Sequence, residues 1–318
     1  MAFEDIPHQD DAVRILQAVL SSGRMPHALL FLGPEGTGRA RTAHELARVA
    51  LCLDAPGPTD YCGECASCRR MAEGTHPDFL PIAVREDRRF VSIGQIRDAQ
   101  DRVAVKPVLG PRRVVVIRQA ERLTLEASNA FLKTLEEPPG DCLLILLAAS
   151  VREIPETVVS RCRVVRFASL PADAVAERLL AEGVEPDHAE WLARRSGGSP
   201  GAAERFRRME LHLFNDQLVE RLAELTVADN FELSAWLDAA AGSGSGSAGE
   251  AREILQELIE CVAVYYRDSA AAGRTVGASL ARAEMALEAI EKIDGNANRR
   301  LTLDNLFTQL ARRTPGSA

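Results

Sequence analysis

The sequence predicts an α/β domain, a parallel sheet covered by helices on both faces, followed by an all-α region. Three observations carry this. Over residues 1 to about 168, short continuous apolar runs alternate with helix-period stretches, as expected for strands buried on both faces. One of these runs leads into a glycine-rich turn and then a helical pattern. From about residue 207 the pattern stays helical.

The strands expected in order are Ala28 to Leu32, Val114 to Ile117, Leu143 to Ala148, and a last one at Val164 to Phe167. Helices are expected after the turn at 33 to 38 and over Leu125 to Glu136, where Pro138 and Pro139 prevent continuation. Pro171 opens a small helical region, Ala174 to Ala181 and Ala189 to Arg195, that ends at the breakers Gly197, Gly198, Ser199, Pro200 and Gly201. In the last third, Ile254, Leu255, Leu258, Ile259, Val262, Tyr265 and Tyr266 recur at helix spacing, as do Leu280, Ala283, Leu287 and Ile290. The Ala241 to Gly249 stretch, AGSGSGSAG, is expected to be a flexible loop. Trp191 and Trp236 fall on helix faces and are expected in the core.

Composition narrows the function. The 318 residues carry 46 acidic and 38 basic side chains, a net charge of -8, which argues against a chain that grips nucleic acid through its own overall field. The longest apolar run, Cys142 to Ala149, has eight residues, far short of the ~20 that cross a bilayer, so no membrane association is expected. The N-terminus has acidic residues where a signal peptide would be basic, and a reducing cytoplasm is the expected location. Lysine occurs only at Lys106, Lys133 and Lys292, so nearly all the basic residues are arginine.

The turn Gly33-Pro34-Glu35-Gly36-Thr37-Gly38 has the spacing and context of a phosphate-binding loop. The next two positions should be a lysine for the β and γ phosphates and a hydroxyl for magnesium; they are Arg39 and Ala40. A planar guanidinium does not replace a compact ammonium inside such a loop, and alanine offers magnesium nothing. The strand Val114 to Ile117 should end in acidic residues but continues as Arg118-Gln119-Ala120-Glu121, so a cation replaces the metal-ordering carboxylate and Gln119 cannot act as a base. Either this is a nucleotide fold that has lost both half-sites, or the glycines simply make a turn.

Cys52, Cys62, Cys65 and Cys68 have the spacing C-x9-C-x2-C-x2-C, suited to a closed, structural zinc site of four thiolates in a loop too rich in Gly, Pro and Asp to order itself. Free thiols, an iron and sulfur cluster and a disulfide pair are the alternatives. His76 is close by but not needed as a ligand, and packing is expected for it. Cys142, Cys162 and Cys261 read as small buried residues.

Several ordered motifs resemble the delta-prime subunit family of the bacterial DNA polymerase III clamp loader, within the AAA+ group. They are Pro26-His27-Ala28-Leu29-Leu30-Phe31, His76-Pro77-Asp78, Asn129 to Pro139 (NAFLKTLEEPP) and Ser160-Arg161-Cys162, with a weaker match at Asn296 to Leu306. The resemblance implies a degenerate AAA+ RecA-like domain over 1–168 with an inserted zinc module at about 52–68, a helical lid over 169–207, and a C-terminal helical collar bundle over 208–318. Arg161 would be an arginine finger, positioned by Ser160 and Cys162 and offered in trans to ATP on a neighbouring motor subunit. Motors of this family carry a nucleotide-sensing arginine in the second region; in Gly198-Ser199-Pro200-Gly201-Ala202 glycine takes its place.

The expected function is therefore a non-hydrolysing stator, not an enzyme by itself. It would assemble with motor ATPase subunits and the delta subunit so that a sliding clamp is loaded on primed DNA. Two rivals remain at this stage. An active clamp-loader ATPase is disfavoured by Arg39, Ala40, Arg118 and Gln119. A stand-alone zinc-dependent DNA-binding protein is disfavoured by the acidic charge and the lack of a basic, aromatic strip near the cysteines.

Overall fold

The computed structural model describes residues 2–4, 6–85, 88–226, 228–243 and 248–312. The chain divides into two compact units, Met1–Ala203 and Glu204–Ala318.

The first unit runs α1 (Asp10–Ser21), β1 (Ala28–Leu32), α2 (Arg39–Leu51), α3 (Ala66–Ala72), β2 (Phe79–Ile82), α4 (Ile93–Val103), β3 (Arg113–Ile117), α5 (Leu125–Glu136), β4 (Cys142–Ala148), α6 (Glu156–Val159), β5 (Arg163–Arg166), α7 (Ala172–Ala181) and α8 (Pro186–Arg195). The five strands form a parallel sheet in the order β2-β3-β4-β1-β5. Period-2 alternation splits the strand side chains between two cores. Leu30, Leu144, Leu146, Val115 and Ile117 pack with Ile96, Phe131, Leu135 and Val158, and the sheet's other face brings Phe31, Ile145, Leu147 and Val116 against Leu16, Leu46, Ala47 and Met71. Because both faces are covered, the strands read as unbroken apolar runs.

The four expected strands are present, with β3, β4 and β5 each starting one residue earlier and β5 also ending one residue earlier, at Arg166. β2 was not foreseen. It has four residues and contains Pro81, which the sheet tolerates because β2 lies at its edge.

Asp78, just before β2, is fully buried and organises the approach to β3. Its carboxylate accepts N–H groups from Val108 at 2.8 Å, Leu109 at 2.7 Å and Gly110 at 2.8 Å, with Arg113 Nη1 3.4 Å away. Arg113 in turn donates to the carbonyls of Val105 and Lys106. Burial alone would raise the Asp78 pKa, but the three N–H donors and Arg113 outweigh it and hold it below the usual carboxylate range.

α9 (Pro200–Arg208) begins inside the expected breaker cluster, with Pro200 at a first-turn position that needs no N–H, and runs across the boundary between the units. The second unit continues with α10 (Leu211–Ala223), α11 (Asn230–Ser243), α12 (Ala248–Ala271), α13 (Val276–Asp294) and α14 (Arg299–Arg312). α12 packs along α13 and α11 against α14, burying Leu237, Leu255, Ile259, Val262, Ala286 and Phe307.

The Gly/Ser loop is shorter than expected. Ala241 to Ser243 extend α11 and Ala248 and Gly249 belong to α12, while 244–247 lie outside the described residues. The two tryptophans are half-buried rather than core; Trp236 stacks on Phe214 at 4.2 Å under the Arg221 guanidinium. Along α13, Ala283 is buried but Leu280 and Leu287 are nearly half exposed, so the expected apolar stripe faces two ways. Among the described residues no helix is long and apolar enough to cross a membrane.

Candidate functional site

Ligands of open parallel sheets bind at the carboxyl ends of the strands, where the order reverses. Here that point is β1, between β4 and β5. The loop after β1 turns so tightly that a Cβ at Gly33 would stand 2.3 Å from the Phe167 carbonyl oxygen. Gly36 has φ +82°, and a Cβ there would stand 2.5 Å from the Gly201 nitrogen. This second contact brings the segment before α9 onto the loop: Gly201 N–H donates to the Glu35 carbonyl at 3.0 Å and Ser199 Oγ donates to the same oxygen at 2.8 Å. A Cβ at Gly201 would meet Glu35 Cγ at 2.5 Å, so any side chain there would have to displace that of Glu35.

A cavity of about 510 Å³ lies beside the loop, lined by Glu35, Arg39, Ala40, Arg118, Gln119 and Glu121 among others. The structure thus brings together the two half-sites that the sequence suggested separately, with Glu121 beside them. Arg39 is 8% exposed and its Nη1 has no hydrogen-bond partner; Glu121 Oε2 is likewise buried and unpartnered. Burial lowers the Arg39 pKa against the opposing pull of Glu121 and Glu35. Burial raises that of Glu121, with Arg39 acting the other way. The Thr37 hydroxyl is spent on the Pro34 carbonyl at 2.7 Å, and Ala40 is exposed. Cation and carboxylate thus line the same cavity, each with a buried atom that has no hydrogen-bond partner.

The four cysteines converge where α2 ends and α3 begins. Cys52 follows α2, Cys65 caps α3 and Cys68 lies in its first turn. All four Sγ atoms lie within 4.8 Å of one another, with separations of 3.6 Å for Cys52 and Cys62, 3.9 Å for Cys62 and Cys68, and 3.7 Å for Cys68 and Cys52. A tetrahedron of thiolates ~2.3 Å from zinc has edges of about 3.8 Å, so the donor set fits that ion, and these separations exclude disulfides of ~2.05 Å. The N–H groups of Cys62, Cys65 and Cys68 each point at the preceding cysteine sulfur at 3.3–3.4 Å, an arrangement that favours thiolates. Burial raises the Cys52 and Cys68 thiols. At Cys65 donation from the Leu53 and Cys68 N–H groups overcomes burial and brings the thiol down to about 6. The four cysteines could therefore hold a metal ion.

His76 is 5% exposed and packed, as expected, outside this group. Its Nδ1 accepts the Asp78 N–H at 3.0 Å, so the proton sits on Nε2, which faces Ser67 Oγ at 2.9 Å; Ser67 donates to the Leu51 carbonyl at 2.6 Å. This chain joins the cysteine module to the sheet. Burial lowers the His76 pKa and keeps it neutral in this role.

Arg161 lies on the turn between α6 and β5. Its Nη1 donates to the Thr157 carbonyl at 2.8 Å and to Ser160 Oγ at 3.3 Å, and its Nη2 to Glu136 Oε1 at 2.5 Å. The guanidinium keeps one third of its side-chain surface exposed. Cys162 turns inward against the core, where burial pushes its thiol up to about 12. Arg161 does not approach the chain's own phosphate-loop cavity, whose lining does not include it.

Residues 8–171 match the family model described as DNA polymerase III, delta subunit. The chain belongs to this family. It is 36% identical over 202 residues to DNA polymerase III subunit delta' of Pseudomonas aeruginosa, covering 63% of this chain and 61% of that one. It is also 34% identical over 177 residues to DNA polymerase III subunit tau of Bacillus subtilis, covering 56% of this chain and 31% of the other. The match therefore spans less than two thirds of the length of these relatives. A DNA polymerase III gamma subunit-related protein of Thermotoga maritima shares the fold, with a TM-score of 0.52 at 19% identity over 95% of this chain and 99% of that one. The fold is the AAA+ arrangement: a RecA-like parallel sheet, a small helical segment and an all-helical C-terminal region.

The Asp78 network and Glu136 are what a residue-by-residue reading missed. Both lie inside quoted motifs, so the signal was present, but their partners Arg113 and Arg161 are 35 and 25 residues away.

Proposed function

We propose that this chain is the non-hydrolysing stator of a bacterial replicative clamp loader. It assembles with motor ATPase subunits and the delta subunit in the cytoplasm, so that a sliding clamp is opened and placed on primer-template DNA. The division into a degenerate AAA+ domain (1–168), a lid (169–207) and a collar domain (208–318) belongs to this reading, and the half-exposed Leu280 and Leu287 of α13 suit a collar face.

The observation that carries the reading is the cavity beside Gly33 to Gly38. Arg39 is buried against it, Ala40 lacks a hydroxyl, and Arg118 and Gln119 stand where magnesium and water need carboxylates. Arg161, held on the surface away from that cavity, has the donor geometry to meet a phosphate presented by another subunit. There its fixed charge would stabilise the charge that develops on the γ phosphate during transfer. Ser160 contacts the guanidinium directly, and the partly buried Cys162 packs the turn against the core. A zinc ion held by Cys52, Cys62, Cys65 and Cys68 is structural, because four sulfurs leave no position for substrate.

Two measurements test this. Titration of the purified chain with magnesium ATP should give no turnover. In the complex with its motor subunits, Arg161→Ala should leave assembly intact and lower DNA-stimulated ATP hydrolysis; unchanged clamp loading would contradict the role of Arg161.

A further inference from the structure

A finger is effective only if its guanidinium is already in place, because an exposed arginine has many rotamers to lose on docking. The Ser160-Arg161-Cys162 turn supplies part of the restraint, through the Thr157 carbonyl and Ser160 Oγ, and both of these engage Nη1 alone. Both bonds hold one end of the planar guanidinium and leave Nη2 without a partner from this turn. The third contact comes from another element, Glu136 in the last turn of α5.

The backbone that carries Glu136 is fixed, while its side chain is half exposed. Leu135 and Phe131 of α5 and Val158 of α6 share one buried cluster, so the two ends of the clamp stand on helices packed against the same sheet face. The helix ends directly after it, with Glu137 outside helical geometry and Pro138-Pro139 preventing another turn. With Nη1 and Nη2 both held, the guanidinium plane is defined, and among the described residues Nε–H has no hydrogen-bond partner. That leaves the Nε edge for an incoming oxygen.

We propose that Glu136 is a positioning residue for Arg161, holding its guanidinium plane so that the Nε edge faces a phosphate on the neighbouring subunit. The inference rests on the finger reading of Arg161 and adds the carboxylate that aims it.

The test is a double-mutant cycle on the full chain assembled with the clamp-loader ATPase subunits of its own organism. The variants are Glu136→Gln, Arg161→Ala and both together, with kcat and KM for DNA-stimulated ATP hydrolysis as the readout. Glu136→Gln should lower kcat by about tenfold to a hundredfold, as expected for a misaimed group, with KM for ATP within about twofold. The double variant should match Arg161→Ala alone. In the isolated chain, nitrogen-15 NMR should show hindered rotation of the Arg161 guanidinium that Glu136→Gln abolishes.

If Arg161→Ala has no effect on hydrolysis, the finger reading itself fails. If Arg161→Ala lowers kcat but Glu136→Gln equals wild type, or costs as much in the Arg161→Ala background as alone, only the positioning role is overturned. An unchanged guanidinium NMR signal in Glu136→Gln overturns it as well, whatever the kinetics.

Discussion

Ser67 Oγ lies 2.9 Å from His76 Nε2 in a buried contact, and through it the helix carrying Cys68 is tied to the residues that lead into the edge strand β2. The cysteine module is therefore fastened to the sheet domain by polar contacts as well as by Met71, which enters the core beneath α2. Its loss should be felt beyond the loop.

Removing the metal should expose this dependence. We expect one zinc per chain, released by a chelator, with a drop in melting temperature and loss of protease resistance around residues 52–75. Cys65→Ser should reproduce both changes. Binding should weaken on acidification, because the cysteines hold the ion as thiolates and protons compete for them. Metal content by mass spectrometry and melting by circular dichroism check this; a metal-free chain that melts like wild type would contradict it.

Asp78→Ala should be among the most damaging single substitutions outside the hydrophobic core. It leaves the buried Arg113 guanidinium uncompensated and three N–H groups unsatisfied, a loss of about 3–5 kcal/mol. The pH dependence has a definite sign. A depressed folded-state pKa means that the contribution of Asp78 is complete above its unfolded value, near ~3.9, and is lost as pH falls through the lower folded value. Urea denaturation of wild type and Asp78→Asn at pH 7 and below pH 4 should show the gap between them shrinking on acidification.

Restoring the phosphate loop alone should not restore an ATPase. Arg39→Lys with Ala40→Thr returns the ammonium and the hydroxyl, but Arg118 and Gln119 still line the cavity where carboxylates are needed. Nucleotide affinity should rise while turnover stays at background. Equilibrium binding of a fluorescent ATP analogue, alongside a phosphate-release assay, separates the two.

Gly36→Ala should destabilise the first unit by about 1–3 kcal/mol. Its φ of +82° strains any L side chain, and the new methyl would stand 2.5 Å from the Gly201 nitrogen. The contact of the loop with Ser199 and Gly201 should open before the sheet does. Hydrogen exchange at Gly201, whose N–H is bonded to the Glu35 carbonyl, reports on it directly.

The sequence revealed whatever rests on local chemistry. The buried strands are continuous apolar runs, so β1, β3 and β4 could be read almost to the residue. α5 stops at two prolines, and the cysteine spacing is that of a tetrahedral donor set. β2 escaped because a four-residue edge strand containing proline has little pattern to show. The tryptophans and the Gly/Ser loop were misread because helix period does not say which neighbour covers a face, nor where a low-complexity stretch gives way to helix.

The sequence by itself determined the fold class, a phosphate-loop spacing without its lysine and hydroxyl, and the convergence of four cysteines, since each depends on residue types at short spacing. Only the tertiary structure decided what those pieces face. It set Arg39 opposite Glu121 in one cavity, pressed Gly201 onto Glu35, and closed Asp78 on Arg113 and Glu136 on Arg161. Those relationships join residues far apart in the chain, and they exist only because the packed sheet holds its loops at fixed distances.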